Sequence, residues 1–361
     1  MATLRDVARA AGVSPATASR ALATPDRVSA DRRDRVARAA AELGYRAPRT
    51  EHAAEGRRLG VIVPDLQNPF FSGIVKGVQH RARSAGMAVL VADSDEDPHL
   101  ETELVAQMSP QVDGIVLCSP RMSDQALATL PTNPEIVLVN RESEHLRSVI
   151  IDNDDGIRQA VRHLHALGHR RIAYAGGQWG SWSDRERRRA LEVAAHDLPD
   201  VDLVQLGHFP MVFAGGVAAA DLVSASGATA VVAHNDLIAL GILDRLRSRG
   251  VDVPGQVSVV GFDDVPTATH VSPTLTTVAV PLRQLGRTAV ELLLEAETSV
   301  AAGPATDRGE PDLEPEGVLV VPVSLVVRDS TTGAAPRERH RPGHGTTDPP
   351  TASSPATPGA P

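Results

Sequence analysis

The sequence of 361 residues contains a single cysteine, Cys118. An internal disulfide is thereby excluded, as is every zinc or iron–sulfur site built from several thiolates. Aromatics are scarce too, with nine in the whole chain, and lysine occurs once, at Lys76. No apolar run approaches the roughly 18 residues needed to span a bilayer. The amino-terminal stretch MATLRDVARAAG carries Arg5, Asp6 and Arg9, so it lacks the apolar segment of an export signal. These absences predict a reduced, cytoplasmic protein without a membrane span. Hydrophobic residues, at 42%, still supply a sizeable core, and the length fits two or three domains.

A formal net charge of −9 argues, as an average, against a nucleic-acid binder. The average hides an asymmetry. Residues 1–60 hold twelve arginines against seven acidic residues, a balance of +5, whereas the remainder carries −14. A basic head on an acidic body is expected where one end alone approaches phosphates. Because arginine replaces lysine throughout, its abundance is not itself a binding signal.

The first sixty residues read as short helices. Thr3 with Asp6 forms a capping-box pair, after which Leu4, Val7, Ala8 and Ala11 keep helical spacing until Gly12. Ser14 caps a second helix with Pro15 at its first position, running through Thr17, Ser19 and Arg20 to about Leu22. A third starts at Ser29 or Ala30, turns Val36, Ala39, Ala40 and Leu43 inward, and stops at Gly44. Two short helices joined by an Ala-Gly-Val turn and followed by a third predict a helix-turn-helix domain, whose second helix enters the major groove of double-stranded DNA. That geometry brings Pro15, Ala16, Thr17 and Arg20 to the bases; Arg20 alone of these can read guanine bidentately. Thr3, Ser14, Ser19, Ser29 and Tyr45 complete the candidate DNA-contacting set. A small helical bundle that binds protein is the alternative.

Beyond a polar linker with Pro48 and Gly56, apolar runs such as LGVIVPD (59–65), GIVLCSP (114–120), EIVLVN (135–140), RIAYAGG (171–177) and VSVVGFDD (257–264) alternate with helical stretches. Such alternation means βα units and parallel sheets, and there are too many strands for one doubly wound domain. The fold class expected is α/β, with a helix-turn-helix head and a two-subdomain effector body. We divide the chain into a DNA-binding head (1–46), a hinge (47–58) and an effector domain (59–330). Its subdomains are taken as 59–150 plus 288–320, and 151–287 plus 321–330. Residues 331–361, rich in Pro, Gly, Ser and Thr, read as a disordered tail.

The blocks TLRDVARAAGVSPATASRAL, VSADRRDRVARAAAELGY, GVIVPDLQNPFFSGIVKGV, HLHALGHRRIAYAGG, TAVVAHNDLIALGIL and VPGQVSVVGFDD resemble the lactose-repressor (LacI) family from about residue 3 to Ser330. The resemblance implies a homodimeric transcription factor that binds a near-palindromic operator. It also implies an effector domain similar to periplasmic sugar-binding proteins, with a small ligand held between the subdomains. A sugar-binding transport protein, or an activator of the same fold, is the alternative. Two departures stand out. The hinge RAPRTEHAAEGRRLG is short and offers no leucine before Leu59, where the family inserts one into the minor groove, although His52–Glu55 has room for a helical turn. A longer loop is expected at Glu297–Gly317, before a strand VLVVPVSLVVRDS.

Ligands of open α/β sheets bind beyond the carboxyl ends of the strands. Seven of the nine aromatics follow predicted strands: Phe70, Phe71, Trp179, Trp182, Phe209, Phe213 and Phe262. Asp65, Asn68, Asn140, Asn235 and Asp263 occupy the same ends. Aromatic faces beside amides and carboxylates suit a sugar, whose C–H faces stack while its hydroxyls need paired donors and acceptors. The alternative is that the aromatics plug the core. The resemblance places Phe70, Phe71, Asn140, Arg187, Asn235 and Asp263 on effector-binding positions, with Cys118 where a polar residue is frequent; Cys118 reads otherwise as a buried, inert thiol. Asp65, Asn68 and Phe209 join them as candidates, and a structural Arg187–Asp263 ion pair is the competing reading. No phosphate loop, Ser-x-x-Lys or Gly-x-Ser-x-Gly nucleophile occurs, and His163, His165 and His169 lack a third ligand at metal spacing. Neither cofactor, metal nor enzymatic activity is expected.

Overall fold

The computed structural model of the chain describes residues 3–23, 28–43, 45, 56–302 and 317–334. The head is formed by α1 (Leu4–Ala10), α2 (Pro15–Ala23) and α3 (Ala30–Glu42). Thr3 caps α1 through a complete capping box, its own N–H donating to Asp6 Oδ2 at 2.9 Å. A cap of this kind is worth about 1 kcal/mol. Gly12 follows at φ +63°, a left-handed turn that a side chain would strain. Ser14 Oγ then accepts the N–H of Thr17 at 3.1 Å and starts α2. The three helices bury Val7, Ala8, Ala11, Ala18, Ala21, Val36, Ala39 and Ala40. Leu43, expected on the inner face, is exposed, because α3 ends one residue earlier.

The body begins with β1 (Arg58–Val63), α4 (Pro69–Ser84), β2 (Ala88–Asp93), α5 (Pro98–Met108), β3 (Gly114–Cys118), α6 (Asp124–Ala128), β4 (Glu135–Val139) and β5 (Ser148–Ile151). It continues with α7 (Asn153–Ala166), β6 (Arg171–Gly176), α8 (Trp182–His196), β7 (Asp202–His208), α9 (Phe213–Ser226), β8 (Ala230–Ala233), α10 (Asp236–Ser248), β9 (Ser258–Asp263) and β10 (Thr276–Ala279). Last come α11 (Leu282–Ala302), β11 (Val318–Val321) and β12 (Ser324–Val326). Two six-stranded sheets result, in the orders β11-β5-β4-β3-β1-β2 and β12-β10-β9-β8-β6-β7. All pairs are parallel except β10 with β12. Helices cover both faces, which is why β3 and β9 are buried along their whole length and read as continuous apolar runs.

The chain crosses between the sheets three times: after Ile151, after Ala279 and after Val321. The second crossing precedes the expected 287/288 boundary, because Leu282 and Arg283 already pack against Gly73 and Gly77 of α4. The stretch expected as one strand after residue 317 is two strands in different sheets, parted by Pro322, a residue without an N–H for the ladder. The expected loop Glu297–Gly317 starts later, since α11 continues to Ala302. Within the expected disordered tail, 331–334 is tied down: the Ala334 N–H donates to the Leu167 carbonyl and His163 meets the Thr331 hydroxyl at 3.0 Å. The remainder of that tail and most of the hinge lie outside the described residues.

Candidate functional site

In the head, Ser14, Pro15, Ala16 and Ser19 are exposed along the amino-terminal half of α2, and Thr17 is half-buried. Ser29 is exposed at the start of α3, while Tyr45 packs half-buried against the head core. Thr3 is exposed, its hydroxyl donating to Asp6 at 2.6 Å. Arg20 lies in the second half of α2, and its side chain is outside the described residues. One helix therefore presents a row of small hydroxyl and apolar side chains, the surface a major groove admits.

In the body, strand order reverses between β1 and β3 in the first sheet, and between β6 and β8 in the second. The carboxyl ends at such reversals open a crevice, and one cleft collects side chains from both sheets. Asn68, Phe70 and Phe71 follow β1; Ser119 and Arg121 follow β3; Asn140 follows β4. From the other side come Ser183 and Arg187 on α8, Met211, then His234 and Asn235 after β8, and Asp263 ending β9. The cavity they enclose measures about 30 Å³, far below the roughly 300–1,000 Å³ of a small-molecule site. Entry of a sugar therefore requires the subdomains to part.

Of the residues proposed from sequence, Asn68, Phe70, Phe71, Asn140, Arg187, Asn235 and Asp263 line this cleft. Asp65, Cys118 and Phe209 do not. Asp65 turns back to accept the N–H of Gln67 at 2.7 Å. Cys118 points into the core, where burial pushes its thiol up to about 12, and the next residue, Ser119, faces the cleft. Phe209 packs under α9 and α10 with Met211, which reaches the cleft in its place. Phe262 lies beneath the site, its ring 3.6 Å from the Arg187 guanidinium, while Trp179 is 80% exposed against His208. Ser119, Arg121, Ser183, Met211 and His234 were not singled out in the sequence. The signal for four of them was adjacency: each lies within two residues of a strand end or of a residue that was named.

Two cleft amides cap helices, Asn68 accepting from Phe70 N–H and Asn235 from Ile238 N–H. Asn140 donates to Ser119 Oγ at 2.9 Å, leaving its own Oδ1 buried and without a partner among the described residues. A buried acceptor in that state costs about 1–3 kcal/mol, which a ligand hydroxyl would recover. Glu101 accepts the N–H groups of Arg121 and Met122, fixing the turn that carries Arg121 to the wall. Opposite, Arg187 is 2% exposed. Its Nε donates to Asn153 Oδ1 at 2.9 Å, Nη1 to the His234 carbonyl, and Nη2 lies 3.8 Å from Asp263. Burial raises the Asp263 carboxyl well above the usual range; Arg187 opposes that rise and Asp236 reinforces it. Since guanidinium does not deprotonate in proteins, Asp263 is the partner that yields. Asp263 also holds φ +119°, a region costly for any side chain.

Behind the cleft, Asp236 is fully buried, accepting from Thr277 Oγ1 and Val265 N–H, and burial pushes its carboxyl up to about 7. A group that binds its proton more tightly when folded stabilises below its unfolded pKa and loses that contribution as pH rises. Stability from this residue should thus decline between about pH 4 and 7. Asp236→Asn, whose amide can donate to Thr277, should remove that component. Urea unfolding of both proteins across this range should show the variant gaining on the wild type as pH rises; parallel profiles would refute the assignment.

No group of three or more His, Cys, Asp or Glu suited to a metal occurs among the described residues, and no described helix is long and apolar enough to cross a membrane.

Comparison with known proteins accords with this geometry. Residues 3–47 match the family of bacterial regulatory proteins of the lacI type, and residues 161–331 match a periplasmic binding protein-like domain. The transcriptional repressor CytR of Escherichia coli strain K12 is 34% identical over 341 residues, covering 91% of this chain and 96% of its own. The transcriptional regulator CelR in complex with cellobiose is 30% identical, with a TM-score of 0.65 over 91% of this chain and 100% of its own. The lac repressor dimer bound to operator and the anti-inducer ONPF is 28% identical, with a TM-score of 0.66 over 92% of this chain and 99% of its own. The likeness to such relatives runs along nearly the full chain, and the protein belongs to the lacI family of bacterial transcriptional regulators.

Proposed function

We propose that the protein is a cytoplasmic, homodimeric repressor of carbohydrate-utilisation genes, released from or fixed on its operator by a small sugar bound between the subdomains. One observation carries this reading: a single cleft, too small for a sugar until the subdomains part, gathers two arginines, three amides, a carboxylate and two phenylalanines. Ligand binding there has different contacts in open and closed states, which is what population shift requires. The bound CelR and lac repressor structures support the ligand class and the dimer. Asn68, Phe70, Phe71, Asn140, Arg187, Asn235 and Asp263 are the proposed effector contacts, with Ser119, Arg121 and Ser183.

On the DNA side, Thr3, Ser14–Thr17, Ser19, Arg20, Ser29 and Tyr45 are the proposed contacts, and the operator is a near-palindrome with half-sites about one helical turn apart. Selection from random duplexes supplies the operator. Arg20→Ala should then cost roughly 1–3 kcal/mol, concentrated at one base pair of each half-site, and affinity should fall steeply with salt. Unchanged sequence preference in Arg20→Ala would remove this residue from base reading. A thermal-shift screen with ribose, galactose, glucose, maltose and cellobiose tests the ligand class, since a ligand at 100 times its Kd adds about 2.7 kcal/mol. No shift with any of these sugars would overturn the carbohydrate reading.

A further inference from the structure

The His234 side chain enters neither the helix caps nor the Arg187–Asp263 pair, yet it is almost wholly buried and borders the cleft. Its surroundings decide its tautomer. Nδ1 lies 3.3 Å from the Tyr174 hydroxyl and 3.4 Å from Asp184 Oδ1. Asp184 in turn receives the Tyr174 hydroxyl at 2.9 Å, the Gly177 N–H at 2.6 Å and Arg188 Nε at 2.7 Å. Burial alone would raise that carboxyl, but His234, Arg188 and the Gly177 N–H together hold it below the usual carboxylate range. An ionised carboxylate only accepts, and the Tyr174 proton is already committed to it, leaving the phenol oxygen to accept as well. Both neighbours of Nδ1 therefore require a proton on it. In a neutral imidazole the other nitrogen is then a lone pair.

The ring stays neutral and in place. Burial pushes His234 down to about 4, and the Arg187 and Arg121 cations push the same way against Asp184. Gly177 lies against the ring, where a Cβ would come within 2.8 Å. The His234 carbonyl holds Arg187, so the residue is anchored from main chain and side chain alike. Among the described residues Nε2 has no hydrogen-bond partner, unlike Nδ1.

Resting on the reading of the cleft as a sugar site, we propose that His234 determines ligand specificity as a hydrogen-bond acceptor, presenting Nε2 to a hydroxyl of the bound molecule. The opposite wall offers a donor from Arg121 and an acceptor, Oδ1, from Asn140, and Arg187 lies beside Asp263. His234 thus adds a neutral acceptor between cations, where a ligand must bring an O–H and where a deoxy position, an O-methyl ether or a phosphate oxygen is rejected. Leaving such a site unpaired is what makes polar discrimination strong.

Two measurements on the full-length protein test this. Long-range nitrogen–proton spectra of [15N]histidine-labelled protein, with His234→Asn for assignment, should show the ring as the Nδ1–H tautomer from pH 6 to 8; an Nε2–H tautomer overturns the proposal. This arm needs no ligand, so it stands even if the sugar panel fails. Calorimetric titration with the panel sugar that stabilises the wild type forms the second arm. His234→Asn keeps an amide donor for Asp184 but has nothing at Nε2, and should bind roughly tenfold or more weakly with its melting temperature little changed. His234→Gln, which returns an acceptor near Nε2, should recover part of the loss. Wild-type affinity in His234→Asn, or equal loss in both variants, overturns the role.

Discussion

Arg187→Met should abolish the ligand response and also cost stability, whereas Asp263→Asn should weaken the response alone. Arg187 is bound on three sides, by Asn153, the His234 carbonyl and the Phe262 ring, with Asp263 at 3.8 Å. Methionine keeps most of the volume but strands two buried acceptors and deprives Asp263 of its cation. Each buried acceptor left unpaired costs about 1–3 kcal/mol. Asp263 is different, because burial already favours its protonated form. An asparagine there resembles that form, and loses only the hydrogen bond that the neutral carboxyl makes to the ligand, about 0.5–1.5 kcal/mol. Calorimetry with the cognate sugar and urea unfolding separate these outcomes. Full ligand affinity in Asp263→Asn would place the effector elsewhere, and a large loss of stability in the same variant would mean the pair is structural first.

The fold was legible because parallel strands covered on both faces leave apolar runs, as in GIVLC and EIVLV. TTVA, the strand β10, was not recognised: it is short, half polar by composition, and is placed by β9 on one side and β12 on the other. Site residues followed a similar division. The rule of strand ends located Asn140, Asn235 and Asp263, but direction at a strand end depends on the backbone of the last residue. Ser119 and Asn140 take φ of +42° and +57°, which aims them into the cleft and leaves Cys118 in the core. That turn is a property of the sheet edge and its helices, so no pattern of residue types in the sequence announces it. His234 was passed over for another reason. Its role depends on Tyr174 and Asp184, sixty and fifty residues upstream, which β6 and α8 bring beneath it.

Gly77→Ala and Gly286→Ala should each destabilise the protein severely, and the pair together by less than the sum. A Cβ on Gly77 would lie 2.2 Å from the Arg283 carbonyl oxygen, and one on Gly286 2.1 Å from that of Ile74. Both obstacles are main chain, so no rotamer change relieves them and α4 and α11 must separate. Overpacking with such displacement costs typically 1–3 kcal/mol and sometimes more, against a total of about 5–15 kcal/mol. Once one alanine has parted the helices the second finds room, so a double-mutant cycle should give a coupling of roughly 0.5–3 kcal/mol in the favourable direction. Strict additivity would mean the two glycines answer separate constraints. The same displacement reaches the cleft, because α4 carries Phe70 and Phe71 in its first turn and α11 follows the crossing after Ala279. Ligand affinity should therefore fall in Gly77→Ala even at temperatures where the protein is fully folded. In Gly241→Ala, whose Cβ would meet the Phe213 carbonyl at 2.1 Å, the loss should instead be traced to Asn235 at the head of α10, and repairing neither helix contact should restore the other.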